Sequence, residues 1–102
     1  MMSISLKDRI FYFQQFSGDD VEFYRVTRST TNTCEVVTLG KSVVYQNDDF
    51  QYVEPDLKGE GLKKRCKVIS FDVIQFRSDS NMAHLWDGKP VKQNVVIFLP
   101  CF

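Results

Sequence analysis

The stretch Met82-Ala83-His84-Leu85-Trp86-Asp87-Gly88-Lys89-Pro90-Val91 contains the one tryptophan of the chain and its strongest turn signal. An Asp-Gly pair between apolar runs favours a tight turn because glycine takes positive φ without steric cost. Pro90, which follows the turn, restricts the backbone conformation there and lacks an N–H donor, which is typical of an edge strand or a loop. We therefore predict a structural turn made by Trp86, Asp87, Gly88 and Pro90, with the indole packed into the core or sealing it.

The residues before this turn predict short strands separated by turn residues. The apolar and aromatic runs alternate with polar positions at a period of two, which indicates strands with one buried face. Predicted strands cover 10–16, 21–28 and 62–68, with a third strand of 34–39 and 42–46 that is broken or bulged at Gly40. Turns are expected at 17–20, 29–33 and 79–81, an irregular stretch at 47–61, and a last apolar run at 95–99. Residues 3–10 could form one short helical turn.

This pattern predicts an all-β fold, either a small meander or an SH3-like barrel, in a single domain over residues 1–102. A chain of 102 residues can bury one modest core. The hydrophobic faces are expected to come from Phe11, Phe13, Tyr24, Val26, Val37, Leu39, Ile69, Phe71 and Val73.

Composition narrows the protein class. No apolar run is long enough to span a bilayer, and residues 1–8 lack the apolar region of a signal peptide. Three cysteines, an odd number, argue against a secreted disulfide framework. We therefore expect a cytoplasmic protein with reduced thiols and no membrane partner.

The formal net charge of zero conceals an uneven distribution along the chain. Residues 1–57 carry a net charge of −4 and residues 58–102 a net charge of +4. Should the fold keep these charges apart, the protein would present two faces that favour different partners.

Three segments together resemble a known family. They are Phe23-Tyr24-Arg25-Val26, then Lys63-Lys64-Arg65, then Ala83 to Val91 with its Trp-Asp-Gly-Lys-Pro sequence. In this order they resemble small proteins encoded by bacteriophages and other mobile elements, which carry an early Phe-Tyr-x-Val strand and a Trp-Asp-Gly-Lys-Pro turn near the C-terminus. The likeness covers roughly residues 10–93, and the apolar tail 95–102 departs from the family. It implies a phage or mobile-element setting, hence the cytoplasm of a bacterial host, and no defined mechanism.

The cysteines and the single histidine supply the ligand types of a zinc site. Zinc accepts three thiolates and one imidazole, but none of these residues lies in a C-x₂-C or H-x₃-H pair. Buried cysteines that act as small hydrophobic residues, with a surface histidine, are the favoured interpretation. No cofactor is therefore predicted; the ligands of a zinc site would be Cys34, Cys66, His84 and Cys101.

Enzymatic interpretations have little support in the sequence. A catalytic cysteine would need His84 as its base, and no flanking motif marks a nucleophile. The chain contains no Gly-x-Ser-x-Gly elbow and no calcium-binding loop. We therefore expect a protein that binds rather than one that catalyses.

Two charged groups are candidate partner-binding residues. The basic group is Lys63, Lys64, Arg65 and Lys67, in which alternation places Lys64 on the face opposite the other three. Such a stripe could grip a phosphate backbone, or could simply keep an edge strand from pairing. The acidic group is Asp19, Asp20, Glu22, Asp48, Asp49 and Glu54, which could imitate phosphates if the first turn and the long loop lie together.

Two functions remain open at this point. The first is a non-enzymatic inhibitor of a host defence or nucleic-acid-handling complex, such as an anti-CRISPR, that acts by contact with a host protein or a protein–nucleic-acid complex. The alternative is a small nucleic-acid-binding β-barrel that uses the stretch 63–67. A clustered acidic surface would favour the first, and a continuous Lys/Arg track flanked by exposed aromatic residues would favour the second.

Overall fold

Nine strands form the regular structure of residues 5–16 and 18–94, which are the residues that the computed structural model describes. The all-β prediction is confirmed, since no helix occurs in this part of the chain. The strands are β1 (Ile10–Gln14), β2 (Val21–Ser29), β3 (Thr33–Leu39), β4 (Lys41–Asn47), β5 (Phe50–Pro55), β6 (Lys63–Ser70), β7 (Val73–Phe76), β8 (Met82–Leu85) and β9 (Val91–Asn94).

Six of these strands close into an antiparallel barrel in the order β1-β2-β3-β6-β7-β8. The barrel closes where β8 pairs with β1, with Phe11 opposite Leu85 and Tyr12 opposite His84. Alternate side chains point inward because successive residues of a strand face opposite sides of the sheet. The buried interior consists of Leu6, Phe11, Tyr24, Val26, Cys34, Val36, Cys66, Ile74, Phe76 and Ala83.

The other three strands form a second sheet in the order β4-β5-β9, here called the outer sheet. Val53 of this sheet belongs to a second buried cluster. Its other members lie on the face of the barrel strands that points away from the barrel interior: Val21, Phe23, Val37 and Leu39. The chain leaves the barrel at Gly40, whose carbonyl oxygen accepts a hydrogen bond of 2.7 Å from the Asp56 N–H. Thus 34–39 and 42–46 are not one bulged strand but belong to different sheets.

Residues 47–61 are not the irregular stretch that we predicted, because they contain β5. Asp48 and Asp49 form the two-residue turn of the β4–β5 hairpin, with φ of 52° at Asp48. The many turn-forming residues around β5 conceal its short run of strand formers, Phe50-Gln51-Tyr52-Val53.

Two of the predicted core residues are exposed. Ile69 and Phe71 have exposed fractions of 48% and 62%, respectively. The inward positions of β6 are instead its even-numbered residues, and the register shifts between Val68 and Ser70. Phe71 then lies in the turn before β7, so the apparent alternation of 69, 71 and 73 runs through a turn rather than along one strand.

The N-terminal segment turns without forming a helix. The Arg9 N–H donates to the Leu6 carbonyl oxygen at 3.0 Å, and Asp8 has φ of 69°. This left-handed conformation is incompatible with the right-handed helical turn considered for residues 3–10. Residues 1–4, Ser17 and the predicted apolar run 95–99 lie outside the described residues.

The segment after β8 carries the chain from the barrel to the outer sheet. Gly88 has φ of 88°, and the Lys89 N–H donates to a side-chain oxygen of Asp87 at 2.9 Å. The half-buried Trp86 ring packs edge-on to Phe23 with centroids 6.1 Å apart, and its Nε1 donates to the Lys89 carbonyl oxygen. The tryptophan therefore covers the second cluster where the two sheets meet.

Candidate functional site

The basic stretch of β6 divides between the two faces of the barrel wall. Lys63, Arg65 and Lys67 are exposed, whereas Cys66 is buried and Lys64 is half-buried. The Lys64 ammonium lies 5.2 Å from the ring centroid of Phe76 and 5.6 Å from that of Tyr24. Three cations of this stretch thus point outward, and the fourth covers aromatic rings of the barrel interior.

Neighbouring strands add two arginines that the sequence analysis did not identify. In the β2–β3–β6 ladder Arg28 lies opposite Glu35, and Glu35 lies opposite Arg65. Arg77 follows β7 and donates its backbone N–H to the Arg65 carbonyl oxygen at 3.0 Å. A row of charged residues therefore crosses four adjacent strands, which lie about 4.8 Å apart. We call Arg28, Lys63, Arg65, Lys67 and Arg77 the basic face.

Two adjoining cavities open on the basic face. The first has a volume of about 280 Å³ and is lined by Arg28, Arg65 and Arg77, together with hydroxyl groups of the β2–β3 turn. The second, of about 290 Å³, is lined by Lys67 and Arg77 among others. Thr33 and Arg77 line both cavities, so the two are neighbours. Guanidinium, ammonium and hydroxyl donors converge there, which is the donor set that binds phosphate or carboxylate oxygens.

No member of the basic face forms an ion pair within residues 5–16 and 18–94. The ion pairs found there join Arg25 to Glu60 and Lys41 to Asp20. Glu35 is the one acidic residue that lines the first cavity, and its carboxylate accepts a hydrogen bond of 3.2 Å from the Thr27 hydroxyl. The guanidinium groups around this cavity are therefore available to an external anion.

Exposed apolar residues continue the basic face along β6. Ile69 follows Lys63, Arg65 and Lys67 at the same strand spacing, and Phe71 lies two residues further on in the turn. Two other aromatic residues do not flank the exposed cations. Phe76 is buried in the barrel, where Lys64 lies over its ring, and Tyr52 stacks on Tyr45 in the outer sheet with centroids 4.6 Å apart.

The acidic candidates are only partly brought together. Asp19, Asp20 and Glu22 line a cavity of about 390 Å³ at the β1–β2 turn. Asp48 and Asp49 lie at the tip of the β4–β5 hairpin, and Glu54 lies opposite Ser42 on β5. Lys41, which pairs with Asp20, begins the strand that ends before Asp48, so roughly 20 Å of strand separates Asp20 from Asp48 and Asp49. Glu54 lies at the Lys41 end of the same hairpin. Asp48 and Asp49 thus do not join the acidic residues of the first turn in one surface.

The four possible zinc ligands are divided in a similar way. Cys34 and Cys66 lie opposite each other inside the barrel. His84 is exposed on β8, with its ring 6.4 Å from that of Tyr12, and Cys101 lies outside the described residues. Within the described ranges no three His, Cys, Asp or Glu side chains form a group that could hold a metal ion.

The two buried thiols influence each other directly. Interaction with the facing Cys66 thiol lowers the pKa of Cys34, and interaction with Cys34 together with burial raises the pKa of Cys66. Both cysteines also line the first cavity. This arrangement makes Cys34 the more nucleophilic sulfur of the pair.

Comparison with known proteins identifies no relative: no family model matches the chain, and neither do curated proteins or solved structures. In the part of the chain with described structure, no helix has the length and apolar character needed to cross a membrane.

Proposed function

We propose that this protein is a non-enzymatic binding module that holds the phosphate backbone of a single-stranded nucleic acid on its basic face. The observation that carries the proposal is the row Arg28, Arg65 and Arg77, extended along β6 by Lys63 and Lys67, over two neighbouring cavities. Of the two functions left open by the sequence, a Lys/Arg track with one exposed aromatic residue near its end, Phe71, favours nucleic-acid binding.

The proposed affinity comes mainly from phosphate contacts. Each phosphate that a lysine or arginine neutralises releases condensed counterions, so binding weakens as salt rises. Residues along one strand face lie about 7 Å apart, which lets the three exposed cations of β6 contact successive parts of an extended strand.

Exposed apolar side chains at the end of the track support a single strand rather than a duplex. Phe71, with an exposed fraction of 62%, and Ile69 offer surface on which an unpaired base can stack or pack. A base within a duplex is already stacked and cannot reach such a side chain.

The proposal is tested by titrating a fluorescently labelled oligothymidine with the full chain and with charge-reversed variants. Arg65→Glu combined with Lys67→Glu is expected to weaken binding at least about tenfold, since two phosphate contacts become repulsive. The matched control is Lys58→Glu combined with Lys89→Glu, which makes the same change in net charge at exposed lysines away from the basic face. Equal weakening by both variants, or no binding by the unaltered chain, would contradict the proposal.

A second candidate is an inhibitor that contacts a host protein or protein–nucleic-acid complex, in the phage or mobile-element setting implied by the Trp86-Asp87-Gly88-Lys89-Pro90 resemblance. It is favoured by the cavity of Asp19, Asp20 and Glu22, next to Phe16 with its exposed fraction of 64%. An anti-CRISPR that imitates phosphates would use such carboxylates.

This candidate predicts the opposite response to charge reversal. Asp19→Lys combined with Glu22→Lys would abolish inhibition of a purified defence complex, while the β6 double variant would retain it. If the β6 double variant loses inhibition and the acidic double variant keeps it, the protein-contact candidate is wrong.

A further inference from the structure

Cys34 and Cys66 form a facing pair of thiols on adjacent strands. They are register partners in the β3–β6 ladder, and their exposed fractions are 6% and 0%. Both are free, buried cysteines that face each other across the two strands. Neither has a role in the binding function proposed above.

The cavity that reaches these thiols is lined with positive charge. Arg28, Arg65 and Arg77 line it together with both cysteines, and Glu35 is its one acidic lining residue. A volume of about 280 Å³ can hold part of a small peptide-like molecule. A carboxylate-bearing molecule in this cavity would bring its reactive group toward Cys34, the less buried of the two.

We propose that Cys34 and Cys66 form a thiol–disulfide exchange site, and that the arginine-lined cavity binds a small anionic disulfide of the glutathione class beside Cys34. The two cysteines have different roles, because both line the cavity but Cys34 keeps an exposed fraction of 6% whereas Cys66 is fully buried. Cys34 is the attacking residue and Cys66 the resolving residue. This site does not depend on nucleic-acid binding.

The exchange is balanced without any further oxidant. The Cys34 thiolate attacks one sulfur of glutathione disulfide, the bond between the two glutathione sulfurs breaks, and one glutathione leaves as a thiolate. The Cys66 thiol then loses its proton and attacks the Cys34 sulfur, which releases the second glutathione. Two protein thiols are thereby oxidised to one disulfide, and glutathione disulfide is reduced to two glutathione molecules. The two protons that the cysteines lose end on the two glutathione sulfurs.

The ladder geometry indicates that this disulfide is easily reduced again. The backbone N–H of Val68 donates to the Asn32 carbonyl oxygen at 2.8 Å, and the backbone N–H of Thr38 donates to the Leu62 carbonyl oxygen at 2.9 Å. Because hydrogen-bonded and non-hydrogen-bonded pairs alternate along an antiparallel ladder, Cys34 and Cys66 occupy a hydrogen-bonded pair.

Such a pair has Cα atoms about 5.5 Å apart, within the range of disulfides, but its Cβ atoms lie about 1 Å further apart than a relaxed disulfide requires. The strands must approach each other to form the bond. The resulting strain makes the disulfide a labile, regulatory one rather than a permanent crosslink.

The first test measures the mass of the intact protein after reaction. All variants carry Cys101→Ser, so that Cys34 and Cys66 are the remaining cysteines. Glutathione disulfide is expected to produce a species lighter by two hydrogen atoms, which dithiothreitol reverses. Cys66→Ser should stop at the mixed disulfide, and Cys34→Ser should form no adduct under the same conditions. If Cys66→Ser lowers the unfolding midpoint, Cys66→Ala gives the same readout without burying a hydroxyl group.

The second test separates the role of the arginines from simple thiol reactivity. Rates of oxidation are compared for glutathione disulfide and for neutral hydroxyethyl disulfide, in the absence of nucleic acid. Arg28→Gln combined with Arg77→Gln should lower the ratio of the two rates at least about fivefold, since electrostatic attraction raises the local concentration of the anion alone. Lys58 does not line the cavity, so Lys58→Gln should leave the ratio unchanged. Absence of the intramolecular disulfide, or an unchanged ratio in the arginine variant, would overturn the proposal.

Discussion

The backbone N–H of Arg77 donates to the carbonyl oxygen of Arg65 at 3.0 Å, and this bond sets two arginines side by side on the outer wall of the barrel. Both side chains line the same cavity, and neither forms an ion pair within the described ranges 5–16 and 18–94. Glu35, opposite Arg65 in the ladder, is the one acidic residue that lines this cavity beside three arginines. An anionic ligand would reduce the remaining repulsion between these like charges.

Lys64 separates a structural from a binding role within the same basic stretch. Its ammonium lies over Phe76 and Tyr24 at the barrel interior, so Lys64→Ala should lower the free energy of unfolding by about 1 kcal/mol, through lost packing and cation–π attraction. Oligonucleotide affinity should change less than about twofold, because the charge points away from the basic face. Lys64→Met, which keeps most of the apolar stem, should recover part of the stability in denaturant titrations. A Lys64→Ala variant with normal stability and weakened binding would contradict this assignment.

The placement of Lys64 on the face opposite Lys63, Arg65 and Lys67 could be predicted from sequence, because it depends only on the period of two along one strand. Which of the two faces is inward could not, since the predicted core residue Ile69 lies on the exposed one. Arg28 and Arg77 could not be assigned to the basic face in this way. Their positions depend on the register of β2 with β3 and of β6 with β7, and a register shift between Val26 and Arg28 alters the first of these. Register is a long-range property that local alternation does not determine.

The missed strand β5 has a different physical cause. Its strand-forming residues lie between Asn47-Asp48-Asp49 and Glu54-Pro55, whose turn propensities outweigh them in a local count. Pairing on both sides, with β4 and with β9, forms the strand in spite of these neighbours. Pro55 lies at the strand end, where it pairs with Lys41 alone.

Gly88 provides a test of the turn that joins the barrel to the outer sheet. Its φ is 88°, and no heavy atom lies within 4 Å of where a Cβ would be, so a side chain there would meet backbone strain and no clash. Gly88→Val should therefore lower the free energy of unfolding by more than about 1 kcal/mol. Gly88→Asn should cost less, since asparagine tolerates the left-handed region. An unaltered denaturation midpoint for the valine variant would reject the predicted turn.

Tyr24 makes stability depend on alkaline pH. Burial, together with the hydrogen bond that its hydroxyl donates to Glu22, raises the pKa of Tyr24 above its usual value. Because the folded protein holds this proton more tightly than the unfolded chain does, the stabilisation is fully present below the unfolded-state pKa of about 10. It is lost as the pH rises through the pKa of Tyr24 in the folded protein. The difference in unfolding free energy between wild type and Tyr24→Phe should thus be constant below about pH 10. Above that pH the unfolding free energy of the wild type should fall relative to that of Tyr24→Phe by up to about 1.4 kcal/mol per pH unit.

The matched control for this titration is Tyr45→Phe, at a tyrosine with an exposed fraction of 50%. Both variants are compared with wild type by urea denaturation across the same pH range. A Tyr24→Phe difference that stays constant up to the highest pH would show that the buried hydroxyl does not resist ionisation.

The salt dependence of oligothymidine binding tests the central claim most directly. For a single strand the slope of log K against log salt is about −0.7 for each phosphate neutralised, so three to five contacts on the basic face predict a slope between about −2 and −3.5. Arg65→Gln should make the slope less negative by about 0.7, whereas Lys58→Gln should leave it unchanged. A flat salt dependence, or the same change in slope for both variants, would contradict nucleic-acid binding by the basic face.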